Sequence, residues 1–185
     1  MSDPRYPKVG DHWEYRYLDT TTKREQKARI DVLMVDKDTI VDSVNDEGQR
    51  SYTKDPKLAF NRVWLELSPY LLSFGELKVG DSWRTLRSEN FSTCAHAMAQ
   101  CRFEARVQGV ESVQTPAGTF EATKIVVDMQ GRLSGMSSNT AEAWRVLTFW
   151  YAPAVKRVVK ATARARSGAS MEPDFDVELT AYKLN

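Results

Sequence analysis

Apolar and polar residues alternate along most of this chain with the two-residue period of half-buried β-strands. The pattern is clearest near the end. Over residues 159–166 one side carries Val159, Ala161, Ala163 and Ala165, and the other Lys160, Thr162, Arg164 and Arg166. Over 174–182 one side carries Phe175, Val177, Leu179 and Ala181, and the other Asp174, Asp176, Glu178 and Thr180. An antiparallel hairpin with Arg166 opposite Asp174 sets Arg164 against Asp176 and Thr162 against Glu178. On its apolar side Ala165, Ala163 and Ala161 meet Phe175, Val177 and Leu179, small against large. A slip of two residues keeps both faces intact, so the pattern specifies the pairing more strongly than the register. Either register sets bases against acids, which reads Lys160, Arg164 and Arg166 as a solvated structural stripe rather than an anion site.

Shorter runs of the same kind fill the rest of the chain. Residues 28–35 and 39–44 are joined by the polar turn Asp36-Lys37-Asp38, and Asn45-Asp46-Glu47-Gly48 turns the chain into 49–53. Strands are predicted at 81–91 and 102–114. Thr115-Pro116-Ala117-Gly118 suits a tight hairpin turn into 120–129, and Gly109 marks a β-bulge. Residues 131–139 are small and polar and read as a loop. Residues 144–151 favour a strand, which Ala152-Pro153-Ala154 turns back.

One hexapeptide occurs twice: Lys8-Val9-Gly10-Asp11-His12-Trp13 and Lys78-Val79-Gly80-Asp81-Ser82-Trp83. In each, Val-Gly-Asp reads as a turn. Glycine supplies the unusual φ, and aspartate can bond the backbone two residues on. Trp then opens an alternating strand. A motif that starts a strand twice is architecture rather than chemistry.

Only residues 63–74 break the alternation, with Trp64, Leu65, Leu67, Tyr70, Leu71, Leu72 and Phe74 crowded together. Ser68-Pro69 suits the start of a short helix over 68–77. The segment reads either as a plug at one end of the core or as a lid over a hydrophobic cavity, and Trp64, Tyr70, Leu71, Leu72 and Phe74 are the candidate ligand-facing set. With about nine to eleven strands and short connections, the chain is predicted to be a single mostly β domain over residues 1–185. Its expected architecture is one curved antiparallel sheet, a half-barrel or open barrel, with one or two short helices.

Composition narrows the function classes. The 185 residues carry a formal net charge of +1, which is not the strongly basic balance of a nucleic-acid binder. No apolar run reaches the ~20 residues of a membrane-spanning helix. The opening Met1-Ser2-Asp3-Pro4 has no leader pattern, which fits a cytosolic chain or a secreted one without its leader. Cys94 and Cys101 flank a small-residue loop between two predicted strands. A disulfide there would contribute about 2.5 kcal/mol and imply an oxidising compartment. Two reduced thiols, or a metal site using Cys94, His96 and Cys101, are the alternatives.

Catalytic patterns are thin. His12 sits inside the repeated hexapeptide, where the second copy has Ser82, and His96 lies in the loop between the cysteines. No nucleophile elbow or phosphate-binding loop occurs. The carboxylate pairs Asp11 with Glu14 and Glu121 with Glu142 read as surface charges. Trp13, Trp83, Trp144 and Trp150 fall at strand positions where aromatic packing is the default. No catalytic residue, metal or cofactor is expected.

Four stretches together resemble a loose group of bacterial envelope proteins: the second hexapeptide, residues 113–122 around Thr115-Pro116-Ala117-Gly118, residues 150–157, and residues 178–184. The resemblance implies a periplasmic or secreted location and a shape similar to the LolA/LolB-like half-barrel, in which a curved sheet holds an acyl chain on its concave face under short helices. It carries no catalytic residue. The resulting expectation is a non-enzymatic envelope module that binds a hydrophobic small molecule or lipid. The alternative is a protein-interaction module of the envelope that docks a protein partner and takes no small-molecule ligand.

Overall fold

The computed structural model describes residues 5–37, 39–53, 60–61, 66–67, 77–85, 98–133, 142–167 and 174–185. Ten strands form one antiparallel sheet: β1 (His12–Asp19), β2 (Glu25–Val35), β3 (Thr39–Val44), β4 (Glu47–Thr53), β7 (Ser82–Thr85), β8 (Met98–Thr115), β9 (Gly118–Leu133), β10 (Glu142–Ala152), β11 (Arg157–Ser167) and β12 (Phe175–Lys183). Two short strands, β5 (Phe60–Asn61) and β6 (Glu66–Leu67), pair separately. The spatial order is β4-β3-β2-β1-β12-β11-β10-β9-β8-β7, and its two ends do not meet among the described residues. The expected open, curved antiparallel sheet is the fold. The helix predicted over 68–77 falls almost wholly outside the described residues. Among those residues the helical structure is a 3-10 turn at Pro153–Val155.

The connectivity is not one simple meander. Strands β1 to β4 run back and forth to one end of the sheet, and β7 to β12 run back from the other. The two runs meet in the middle, where β1 pairs with β12 from His12↔Lys183 to Asp19↔Phe175.

Each hexapeptide builds the same small device. The Asp11 N–H donates to the Lys8 carbonyl at 3.0 Å, and the Asp81 N–H to that of Lys78 at 2.9 Å. The glycine between them has a φ of +86° at Gly10 and +92° at Gly80, the left-handed value such a turn requires. The aspartate carboxylate does not reach forward as the sequence suggested. It accepts from the N–H three residues back, Lys8 or Lys78, at 2.8 Å in each copy. Each turn then docks on a valine of the next strand. Gly10 and Asp11 exchange backbone hydrogen bonds with Val32, and Gly80 and Asp81 with Val107. Immediately after each docking valine comes a β-bulge, with Leu33 the extra residue in one copy and Gln108 in the other. The predicted irregularity at Gly109 is therefore half of a repeated unit, β1-β2-β3 and β7-β8-β9.

Two expectations along the strands need correction. Residues 131–133, read as loop, continue β9. The β11–β12 hairpin pairs Lys160↔Glu178, Ala161↔Val177, Thr162↔Asp176 and Ala163↔Phe175, two residues away from the register that set Arg166 opposite Asp174. Both faces survive the slip, and its gain is on the charged side. Lys160 now lies opposite Glu178 at 3.2 Å, while Arg164 still reaches Asp176 on the diagonal. Arg166 is released to Asp128 of β9, 3.2 Å away. The basic stripe is thus neutralised, as the alternation implied.

The sheet curls strongly about its concave face. Arg157 of β11 reaches Asp42 of β3 at 3.3 Å, although three strands separate them in the sheet, and both side chains are fully buried. Arg157 also lies over the rings of Trp13 and Tyr15, at 5.2 and 5.9 Å from their centroids. The Trp13 Nε1–H donates to the Val155 carbonyl and the Tyr15 hydroxyl to that of Val158, at 2.9 and 2.7 Å. The turn between β10 and β11 is thereby drawn into the concavity. Around it lies a core of Ile30, Ile40, Val107, Ile125, Val127, Met129, Leu147, Phe149, Phe175 and Leu179, all buried. Because Asp42, Arg145 and Arg157 are buried with these residues, the concave side is not uniformly apolar.

Candidate functional sites on the two faces of the sheet

The candidate ligand set Trp64, Tyr70, Leu71, Leu72 and Phe74 lies outside the described residues, as do Cys94 and His96. Cys101 is on β8, its backbone paired with Gly131. The strands expected to flank the cysteines do pair, from Ser82↔Arg106 to Thr85↔Phe103. The described part of the apolar segment is β6, which passes close to β10. Both edges of β10 are filled by β9 and β11, so β6 is not one of its sheet neighbours. On β10 the side chains of Arg145, Leu147, Phe149 and Tyr151 are buried, whereas Trp144, Val146, Thr148 and Trp150 keep contact with solvent. The buried set faces the concave core.

The convex face is built from charge. A row of facing positions runs across the sheet: Arg16 lies opposite Glu178, Glu178 opposite Lys160, Lys160 opposite Trp150 and Trp150 opposite Lys124. Arg16 and Lys160 flank the Glu178 carboxylate at 2.9 and 3.2 Å. Lys124 reaches Glu111 at 3.5 Å and lies 5.6 Å from the Trp150 ring centroid. The Trp150 Nε1–H donates to Glu111 Oε1 at 2.6 Å. Trp144 and Trp150 therefore lie on the outer face beside cations, with Arg166 over the Trp144 ring and Trp150 also packing against the edge of the core.

Beyond Lys160↔Glu178 the β11–β12 ladder stops, and the tip of the β8–β9 hairpin fills the gap. The Ala117 N–H donates to the Leu179 carbonyl at 3.2 Å, and Phe120 meets the Tyr182 ring edge-on at 5.9 Å. The tip is the tight turn predicted at Pro116-Ala117, with Thr115 paired to Gly118. Between this arm and the charged row lies an open cleft of about 640 Å³. Trp150, Lys160 and Glu178 form its floor, and Glu111, Gln114 and Thr115 its wall. Sequence reasoning did not find this cleft, because its residues come from four strands and each reads alone as an ordinary surface position.

The charges in the cleft are set by its hydrogen bonds. The Trp150 N–H, helped by Lys124, holds the Glu111 carboxyl below the usual glutamate range. Burial would raise Glu178, but hydrogen bonds from Arg16 and Lys160 outweigh it and hold that carboxyl low as well. Both are carboxylates at neutral pH, with no proton to donate.

His12 lies in a separate polar cluster at the start of β1. Its Nδ1 faces Asp31 at 2.9 Å and its Nε2 faces Glu14 at 3.1 Å. Burial raises the Asp31 carboxyl, and the hydrogen bonds from His12 and Arg29 bring it below the ordinary aspartate range. Asp11, read as a surface charge, is instead fully buried. Its Oδ1 accepts from the Asn185 N–H at 2.8 Å, and Lys156 lies 3.5 Å from Oδ2.

No protein-family model matches the chain, and no curated protein matches it in sequence. The solved structures that match include three bacterial proteins. A protein of Parabacteroides distasonis assigned as a lipoprotein has a TM-score of 0.53 at 15% identity, covering 97% of this chain and 98% of that one. A Bacteroides fragilis protein assigned as exported, with a YmcC-like fold, has a TM-score of 0.48 at 13% identity over 96% and 97%. The hypothetical lipoprotein YmcC of Escherichia coli has a TM-score of 0.43 at 11% identity over 92% and 87%. The first likeness shows a shared fold along nearly the whole chain. Among the described residues no helix is long and apolar enough to cross a membrane.

Proposed function

We propose that this chain is a non-enzymatic module of the bacterial envelope, periplasmic or secreted, that binds a hydrophobic or lipidic molecule. The ligand lies between the concave face of the sheet and the apolar segment around residues 63–74. The observation that carries the reading is the closeness of β6, the described part of this segment, to β10, whose Arg145, Leu147, Phe149 and Tyr151 side chains are buried. In a LolA/LolB-like half-barrel a curved sheet holds an acyl chain on its concave face under short helices, and here Trp64, Tyr70, Leu71, Leu72 and Phe74 are the side chains that would line the space. The fold shared with a protein assigned as a lipoprotein supports the envelope setting.

Native mass spectrometry on protein exported to the periplasm tests this reading. A bound mass of a few hundred daltons, lost on denaturation and absent from a Trp64→Ala, Phe74→Ala double variant, is the expected result. A clean apo mass, with no uptake of a fluorescent fatty acid, would overturn it in favour of a module that docks an envelope protein. In the same denatured spectrum, loss of the mass of two hydrogens would establish a Cys94–Cys101 disulfide.

A further inference from the structure

The convex cleft is a second site, on the opposite face of the sheet from the proposed hydrophobic ligand. Its volume of about 640 Å³ falls within the ~300–1,000 Å³ of typical ligand pockets. The floor presents one aromatic side chain, Trp150, held by its hydrogen bond to Glu111 and flanked by lysines on both neighbouring strands. Around it stand groups suited to hydroxyls: the Glu111 and Glu178 carboxylates, the Lys160 ammonium and the Gln114 amide. Each carboxylate has acceptor capacity beyond the bonds it already makes. The lining is mixed in sign and neighbouring cations compensate its acids, so it offers no field that selects a strongly charged ligand. An aromatic surface edged by fixed, nearly neutral donor and acceptor pairs matches a sugar ring, which has an apolar C–H face and a rim of hydroxyls.

We infer that this cleft binds a short, neutral saccharide, with Trp150 packing against a sugar ring and Glu111, Gln114, Lys160 and Glu178 bonding its hydroxyls. The site is built for binding rather than cleavage. Glycoside hydrolysis needs one carboxylic acid that keeps its proton beside one carboxylate, and here both groups are held ionised. The arm that forms the wall is fixed by Ala117 on Leu179 and by Glu111 on Trp150, so the cleft is formed before any ligand arrives.

The test is titration of the full chain with maltotriose and with triacetylchitotriose, followed by NMR of the Trp indole N–H resonances. One of the two sugars is expected to shift the Trp150 indole resonance saturably. Trp150→Ala is expected to weaken binding by about tenfold or more. If that variant does not fold, Gln114→Ala on the exposed wall replaces it, with a smaller loss expected. The inference is overturned if neither sugar shifts the Trp150 resonance at concentrations up to about 20 mM. It is equally overturned if binding persists undiminished in both variants. Retention of a fluorescent fatty acid by Trp150→Ala separates this site from the concave one.

Discussion

Asp11 and Asp81 do the same work in the same turn at different depths. Each closes its turn on the N–H three residues back, but only Asp11 is fully buried, receives the Asn185 N–H and faces Lys156. Truncating a buried charged acceptor leaves its donors and counter-charge unmet, whereas truncating a more accessible one lets water replace it. Asp11→Ala is therefore expected to cost about 3 kcal/mol and Asp81→Ala about 1 kcal/mol, measured as shifts in urea midpoint. Equal costs would show that burial is not what separates the copies. At this scale the sequence was legible for backbone chemistry and poor for depth. Gly10 and Gly80 announced the turn, yet nothing in the hexapeptides separates a buried Asp11 from a more accessible Asp81. That difference comes with Lys156 and Asn185, partners far along the sequence.

Among elements, alternation reveals which side chains share a face and which strands pair, because a one-residue slip would turn every side chain over. It does not separate registers two residues apart. The β11–β12 hairpin moved by that step and gained Lys160 opposite Glu178, inside a row that begins with Arg16 on β1. The long-range partner was invisible from the hairpin alone. The row makes a prediction about acid. Since the folded Glu178 carboxyl is held low, its contribution is fully present above the unfolded glutamate value of about 4.3 and is lost as pH falls through the folded value. Glu178→Gln is expected to be less stable than the parent at neutral pH, with the gap closing below about pH 4. Urea unfolding across pH measures it, and an unchanged gap in strong acid would remove Glu178 as the source.

For the molecule as a whole, fold class was readable because ten strands with short turns leave few alternatives to a curved antiparallel sheet. The meeting of β1 with β12 was not, since neither strand carries a mark naming so distant a partner. The convex cleft was hidden for a related reason. Trp150 looks like any strand tryptophan until β8 bends over it. If β12 is the strip that unites the two runs of strands, deleting residues 174–185 should abolish cooperative unfolding, not merely lower its midpoint. Urea titration followed by circular dichroism and dye binding measures this, and a sharp two-state transition in the truncated chain would refute it.

The same seam sets an order in time. Among the described strands of the sheet β1 is synthesised first and β12 last, yet they are neighbours at its centre. Until β12 arrives, β1 carries a bare row of amide and carbonyl groups, the kind of edge that recruits strands from other chains. Pairing across so much intervening chain is slow, of the order of milliseconds to seconds. The nascent protein thus passes through a period in which its most central strand is its most adhesive one. Its yield in a cell will depend on what shields that edge until the last strand is made.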